Sequence, residues 1–253
     1  MKKSILLLPI LIVLISSTKK ETIPPGTVKL SETTFIDNTE ISNFSWLEYV
    51  YWTKNNNPDN LLNVLPDTTV WDSEPYKIHY FRHIAYRDYP VVGVSYEQAV
   101  EYCKWRSERV NESLYRKSRG LKITDKVSSE EIPQVFEYRL PTEEEFISVA
   151  SVGNSEKIEK KINKTGMCIT INAINPAIKS ERQDVTAPVK SYWPNKLGIY
   201  NIFGNVAEMT SIKGLSKGGS WKDKVDEISA EKRHYCQKPE NWLGFRCVCV
   251  RIN

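Results

Sequence analysis

The apolar and polar positions along the chain mark short elements separated by long polar connections. Thr27-Val28-Lys29-Leu30 and Thr34-Phe35-Ile36-Asp37 are brief β-branched runs that predict strands. From Ile41 to Trp52, the residues Trp46, Tyr49 and Val50 share one helical face behind Ser42 or Asn43, which predicts a capped amphipathic helix. Pro90-Val91-Val92-Gly93-Val94 reads as a buried extended stretch. It leads into a second helix, where Ser95 and Gln98 stand in capping-box positions ahead of Ala99, Val100, Cys103 and Trp105. A third helix starts at Thr142, with Glu145 three residues on and Glu143 and Glu144 at the positive end of its dipole. Residues 54–80, dense in Asn, Asp and Pro, are expected to be loop. Ser107 to Glu137 is expected to be a charged, irregular surface excursion, and residues 153–166 a solvated, lysine-rich loop. There is no internal repeat.

Composition adds bounds to this pattern. With 253 residues, 40% of them apolar and 26% charged, the chain is of a size to form one large globular domain with a sizeable core. Its 35 basic and 31 acidic residues give a net charge of +4, too even to argue for nucleic acid, and no nucleic-acid partner is expected. The start of the chain changes the picture more. Met1-Lys2-Lys3, the apolar run Ile5 to Ile15 broken by Pro9, and Ser16-Ser17-Thr18 predict a signal peptide over residues 1–18. The run is shorter than the ~20 apolar residues of a membrane span, so the protein is expected in the periplasm or cell envelope. Residues 19–26, with Pro24-Pro25, form an extended linker, and residues 27–253 the domain. No cysteine precedes Cys103, so no lipid acceptor is expected and membrane association would run through partners.

In an exported chain, Cys103, Cys168, Cys236, Cys247 and Cys249 are disulfide material with one left over, and none has zinc-ribbon spacing. Cys247 and Cys249, with Val248 between them, are expected to point to opposite faces of a strand and so not to serve one buried partner. The turn-rich loop Gly198 to Met209 reads as a ligand loop, in which Gly204 permits an unusual backbone angle while Asn201 and Glu208 supply hard oxygens. His79 and His83 have chelating spacing but lack a third ligand, which favours a surface role. Ser220 has no histidine and carboxylate at readable spacing. Arg246 reads as a buried hydrogen-bonding fork bracing the last strand, and Glu143 to Glu145 as caps.

Taken in order, five stretches carry a resemblance: Pro90 to Ser95 with Ala99 to Trp105, Arg139 to Glu143, Gly198 to Val206, Gly218-Gly219-Ser220-Trp221, and Gly244-Phe245-Arg246-Cys247. Together they resemble the signatures of the formylglycine-generating, sulfatase-modifying family, over roughly residues 24–253. Leu65 to Trp71, Tyr80 to His83 leading to Asp88-Tyr89-Pro90, and Asn205-Val206-Ala207-Glu208 are similar to a narrower group, the gliding-motility and type IX secretion lipoproteins of Bacteroidetes. The resemblance implies an irregular α+β fold of the formylglycine-generating-enzyme type, C-type-lectin-like and in one domain, with little regular secondary structure.

The resemblance also implies a chemistry. Active members bind copper through two cysteines shortly after the Gly-Gly-Ser-aromatic motif, whereas Lys222 to Ile228 contains no thiol, so copper is not expected. It implies calcium on Asn201, Gly204, Val206 and Glu208, a second calcium at Asn172 and Ala173 with an acid near Glu181 or Asp184, and a Cys103–Cys247 disulfide. The family's Trp-Glu-Trp groove wall is replaced by Ala207-Glu208-Met209, which argues against the enzymes' mode of peptide recognition. The expected function is that of an exported, non-catalytic component of an envelope assembly, touching other envelope proteins. The alternative is a metal-dependent oxidase that modifies exported proteins through a changed ligand set including Cys236.

Overall fold

A computed structural model describes residues 22–153, 171–173 and 185–252; residues 1–18, expected to be a signal peptide, and Cys168, Glu181 and Asp184 lie outside them. The predicted strands form as β1 (Thr27–Lys29) and β2 (Thr34–Asp37). Helix α1 spans Asn43–Asn56 and is capped by Ser42, whose side chain accepts from the Ser45 amide. Residues 54–80 depart from the loop expectation. They hold two 3-10 segments, Pro58–Val64 and Thr68–Val70, and the short helix α2, Glu74–His79. Elements this brief leave no periodicity to read.

Helix α3 corrects the sequence reading most. It runs Tyr96–Arg119, well past Ser107, and stops at Gly120, whose φ of 66° is the left-handed cap that glycine adopts most cheaply. Its second half is held by charge pairs on one face, Arg109 and Arg116 to Glu112, and by polar groups buried on the other. There the Asn111 oxygen accepts from the Val135 and Phe136 amides, and the Ser107 hydroxyl accepts from the Tyr138 amide. Those bonds dock β3 (Phe136–Arg139) on the helix. The Ser95–Gln98 and Thr142–Glu145 capping boxes both form, the second opening α4 (Glu143–Ala150).

One sheet has the order β1-β2-β8-β3, with β8 at Val248–Arg251 and every pairing antiparallel. The second comprises β4 (Ala207–Met209), β5 (Leu215–Lys217), β6 (His234–Tyr235) and β7 (Leu243–Gly244), in the order β6-β5-β4-β7, with β4 and β7 parallel. The main core joins α1, α3 and the end of the chain: Trp46 stacks on Tyr102 at 5.2 Å and meets the edge of Phe245 at 5.9 Å. Alternate residues of an extended chain share a face, so Cys247 and Cys249 both enter this core. That corrects the expectation that they face apart. Val248 between them turns the other way, into a second core with Ile36, Phe146 and Ile199. The result is a mixed helix-and-sheet α+β domain.

Candidate functional site

The four residues of the calcium expectation lie on the loop and strand that close over the end of β2. Asn201 has a φ of 48°, Gly204 of 75° and Asn205 of 59°, three left-handed residues in one turn. Glycine is required at 204, since a Cβ there would stand 2.7 Å from the Asn172 carbonyl oxygen. Asn205, fully buried, is the hub. Its Nδ2 donates to Glu40 Oε1 at 2.7 Å and to the Ala187 carbonyl at 3.1 Å, while its Oδ1 accepts from the Ala187 amide at 2.7 Å. Asn172 donates to the same Oδ1 and to the Val185 carbonyl, so it pins this turn. The neighbouring Ala173 is half-buried.

Glu208, on β4, faces a cation that is already present. Arg246 Nε and Nη2 each lie 2.6 Å from one of its oxygens, and both side chains are buried. The same guanidinium donates to the Asp37 and Tyr200 carbonyls, a rigid fork filling its donor positions. Calcium takes about six to eight oxygens. Asn201 turns its Nδ2 to the Val189 carbonyl at 3.2 Å and to Glu40 at 3.3 Å, and the one carboxylate among the four positions is saturated by Arg246. As arranged, Asn201, Gly204, Val206 and Glu208 do not form a calcium cage.

The buried carboxylate with no ion-pair contact among the described residues is Glu40, which sequence reasoning missed. Among the described side chains, the amides of Asn205 and Asn201 hold it. Burial, reinforced by the charge of Glu208, pushes its pKa up to about 8, against the pull of Arg246 and the Asn205 hydrogen bond. Asp37 is compensated differently, by Arg106 at 2.6 and 2.7 Å.

The second cluster lies around the Gly-Gly-Ser-Trp motif. Gly218, with a φ of 89°, lets the backbone pass the Ile202 carbonyl, 2.8 Å from where a Cβ would stand. Ser220 donates from Oγ to Asp223 Oδ2 at 2.7 Å and from its amide to the same oxygen at 2.8 Å. His234 Nδ1 approaches Asp223 Oδ1 at 3.8 Å, so the structure gathers the carboxylate and histidine that the sequence left apart. Their order is wrong for a nucleophile of the triad kind: the acid separates serine from imidazole, and the imidazole does not touch the hydroxyl. Burial also lowers the pKa of His234.

After the Gly-Gly-Ser-Trp motif Asp223 holds Ser220, and Lys222 to Ile228 supplies no soft ligand. Cys236 donates to the Lys238 carbonyl beside Tyr96 and Lys213. The residues present do not fit a two-thiolate copper centre. Among the described residues, no cluster of three or more histidine, cysteine or carboxylate side chains is placed to hold a metal. His79 ends α2 and meets His83 ring edge to face at 5.6 Å. Glu143, read as a cap, is gripped by Arg233 at 2.6 and 2.7 Å and by buried Lys217 at 3.1 Å, and these cations pull its pKa down to about 2. Glu145 does cap α4 and also pairs with Arg139. Ala207 and Met209 are buried in the main core, and Met209 also meets the small pocket beside Tyr96 and Cys236. The sulfurs of Cys103 and Cys247 stand in contact at 3.5 Å inside the same core.

Several solved structures are similar to this chain, three of them as follows. The crystal structure of CarF is 22% identical, covers 87% of each chain and has a TM-score of 0.49. Treponema denticola variable protein 1 is 18% identical over 90% of this chain and 92% of that one, with a TM-score of 0.48. The structure of PvdO from Pseudomonas aeruginosa is 19% identical over 66% and 63%, with a TM-score of 0.42. No curated protein matches. The model of the sulfatase-modifying factor enzyme 1-like domain matches residues 11–251, almost the whole sequence, and with the glycine-asparagine turn and the Gly-Gly-Ser-Trp loop in place the chain belongs to that family.

Proposed function

We propose that the chain is an exported, non-catalytic member of the family, kept for its rigid surface and working as a structural or interaction component of a cell-envelope assembly of the gliding-motility or type IX secretion kind. The observation that carries this reading is the Ser220 loop. Its hydroxyl is tied to Asp223 and among the described residues no thiol pair stands beside it, so the oxidase chemistry of active relatives lacks its metal ligands there. Family membership alone does not supply the activity. Purified protein incubated with copper(I) and a cysteine-containing sulfatase-type peptide is expected to retain no stoichiometric copper and to convert no peptide. Copper-dependent turnover would restore the oxidase reading.

The contact between Cys103 and Cys247 belongs to the same proposal, since an envelope protein is made where such thiols oxidise. Protein recovered from the envelope is expected to protect both from alkylation after unfolding. Reduction should remove roughly 4–5 kcal/mol, the chain-entropy value for so long a loop. Quantitative alkylation of both without reductant would show that they remain thiols.

A further inference from the structure

An open groove lies between residues 65–68 and the end of helix α2 with the turn after it, residues 77–82. Its volume is about 370 Å³, and Leu65, Pro66, Ile78 and Phe81 give it an apolar floor and lip. Ile78 is 62% exposed at the lip, and Leu62 on the neighbouring 3-10 segment is 80% exposed. Among the described residues nothing covers these large side chains, and a concave cleft of this size, lined about equally by polar and apolar surface, is a form a recognition site takes. The charges are one-sided. Lys77 and Arg82 line the groove and no carboxylate does. Lys77 is joined to exposed Glu74, an ion pair that water weakens, whereas Arg82 is exposed with no ion-pair partner among the described residues.

We infer that this groove docks an acidic, leucine-rich segment of a partner protein, with apolar side chains seated against Leu65, Ile78 and Phe81 and carboxylates paired with Arg82 and Lys77. Charge complementarity commits the occupant to an acidic segment, because a neutral one would leave Arg82 unpaired and a basic one would set like charge against both Arg82 and Lys77. The inference deepens the interaction-module reading by naming its contact surface, and rests on it.

The test is fluorescence anisotropy of the intact chain with a short labelled peptide of alternating leucine and glutamate, beside a leucine–lysine peptide of the same length. The acidic peptide is expected to bind and the basic one not. Arg82→Glu should weaken binding roughly tenfold and flatten its salt dependence, and Ile78→Asp should abolish it. Both residues are exposed, and unchanged melting curves would show that the variants are folded. Binding that ignores both substitutions, or no binding of the acidic peptide, overturns the inference. So does self-association in sedimentation that Ile78→Asp removes, which would give the groove to a second copy. Loss of the non-catalytic reading would appear separately, as copper-dependent turnover that neither variant alters.

Discussion

Replacing Arg246 by methionine is expected to cost about 3–5 kcal/mol, the usual result of stranding a buried charge, and to lower the melting temperature by roughly 6–20 °C for a domain of this size. Arg246 is fully buried and meets both oxygens of Glu208 at 2.6 Å, as well as the Asp37 and Tyr200 carbonyls. Methionine fills similar space but leaves the carboxylate without a counter-charge in a site that water does not reach. Lysine would not rescue it, since one ammonium cannot span donor positions that a planar fork reaches together. The double variant Arg246→Met with Glu208→Leu separates charge from packing: removing the stranded carboxylate should recover much of the loss, and thermal unfolding of the four species gives the coupling. A single variant that melts with the wild type would show that the pair does not hold the loop to β2.

Local chemistry was the legible part of this fold. The capping boxes at Ser95–Gln98 and Thr142–Glu145 form as read because each is written within four residues. Arg246 was legible as a fork because an arginine between Phe245 and Cys247, in a strand-like context, has few other uses. The second half of α3 was not, because its stabilising pattern lies in charge pairs and in buried Ser107 and Asn111 rather than in an apolar stripe. Gly120 was the overlooked stop signal.

The site divides in the same way. Asn201 and Glu208 were singled out from their loop, but the partners that decide their chemistry lie far along the chain. Glu40 meets Asn205 across 165 residues, and Glu208 meets Arg246 across 38. No spacing rule announces such a pair, so a reading that sees hard oxygens cannot see that a guanidinium already satisfies them. Ser220, Asp223 and His234 make the same point: the histidine that looked absent arrives on β6 through the pairing of Ser216 with His234.

Glu40 carries the other large effect, and its sign is the reverse of an ordinary paired carboxylate. Its folded pKa of about 8 lies above the ordinary 4.5 expected of the unfolded chain. Below pH 4.5 both states hold the proton and Glu40 contributes no pH dependence. As the pH rises from there, the unfolded chain releases the proton while the folded protein keeps it, so stability falls, by up to ~1.4 kcal/mol per pH unit, until the folded group also ionises near pH 8. Glu40→Gln removes the titration yet keeps an acceptor for Asn205. Melting temperatures across this range are therefore expected to fall less steeply for the variant than for the wild type, with the variant the more stable at pH 8, by a few kcal/mol, and not at pH 5. Parallel curves would mean that the buried carboxylate is neutralised by something other than a proton. The competing neutraliser is a cation beside Asn201, and millimolar calcium distinguishes the two: at pH 8 it should leave both proteins unmoved if the proton does the work, and raise the wild type alone if calcium does.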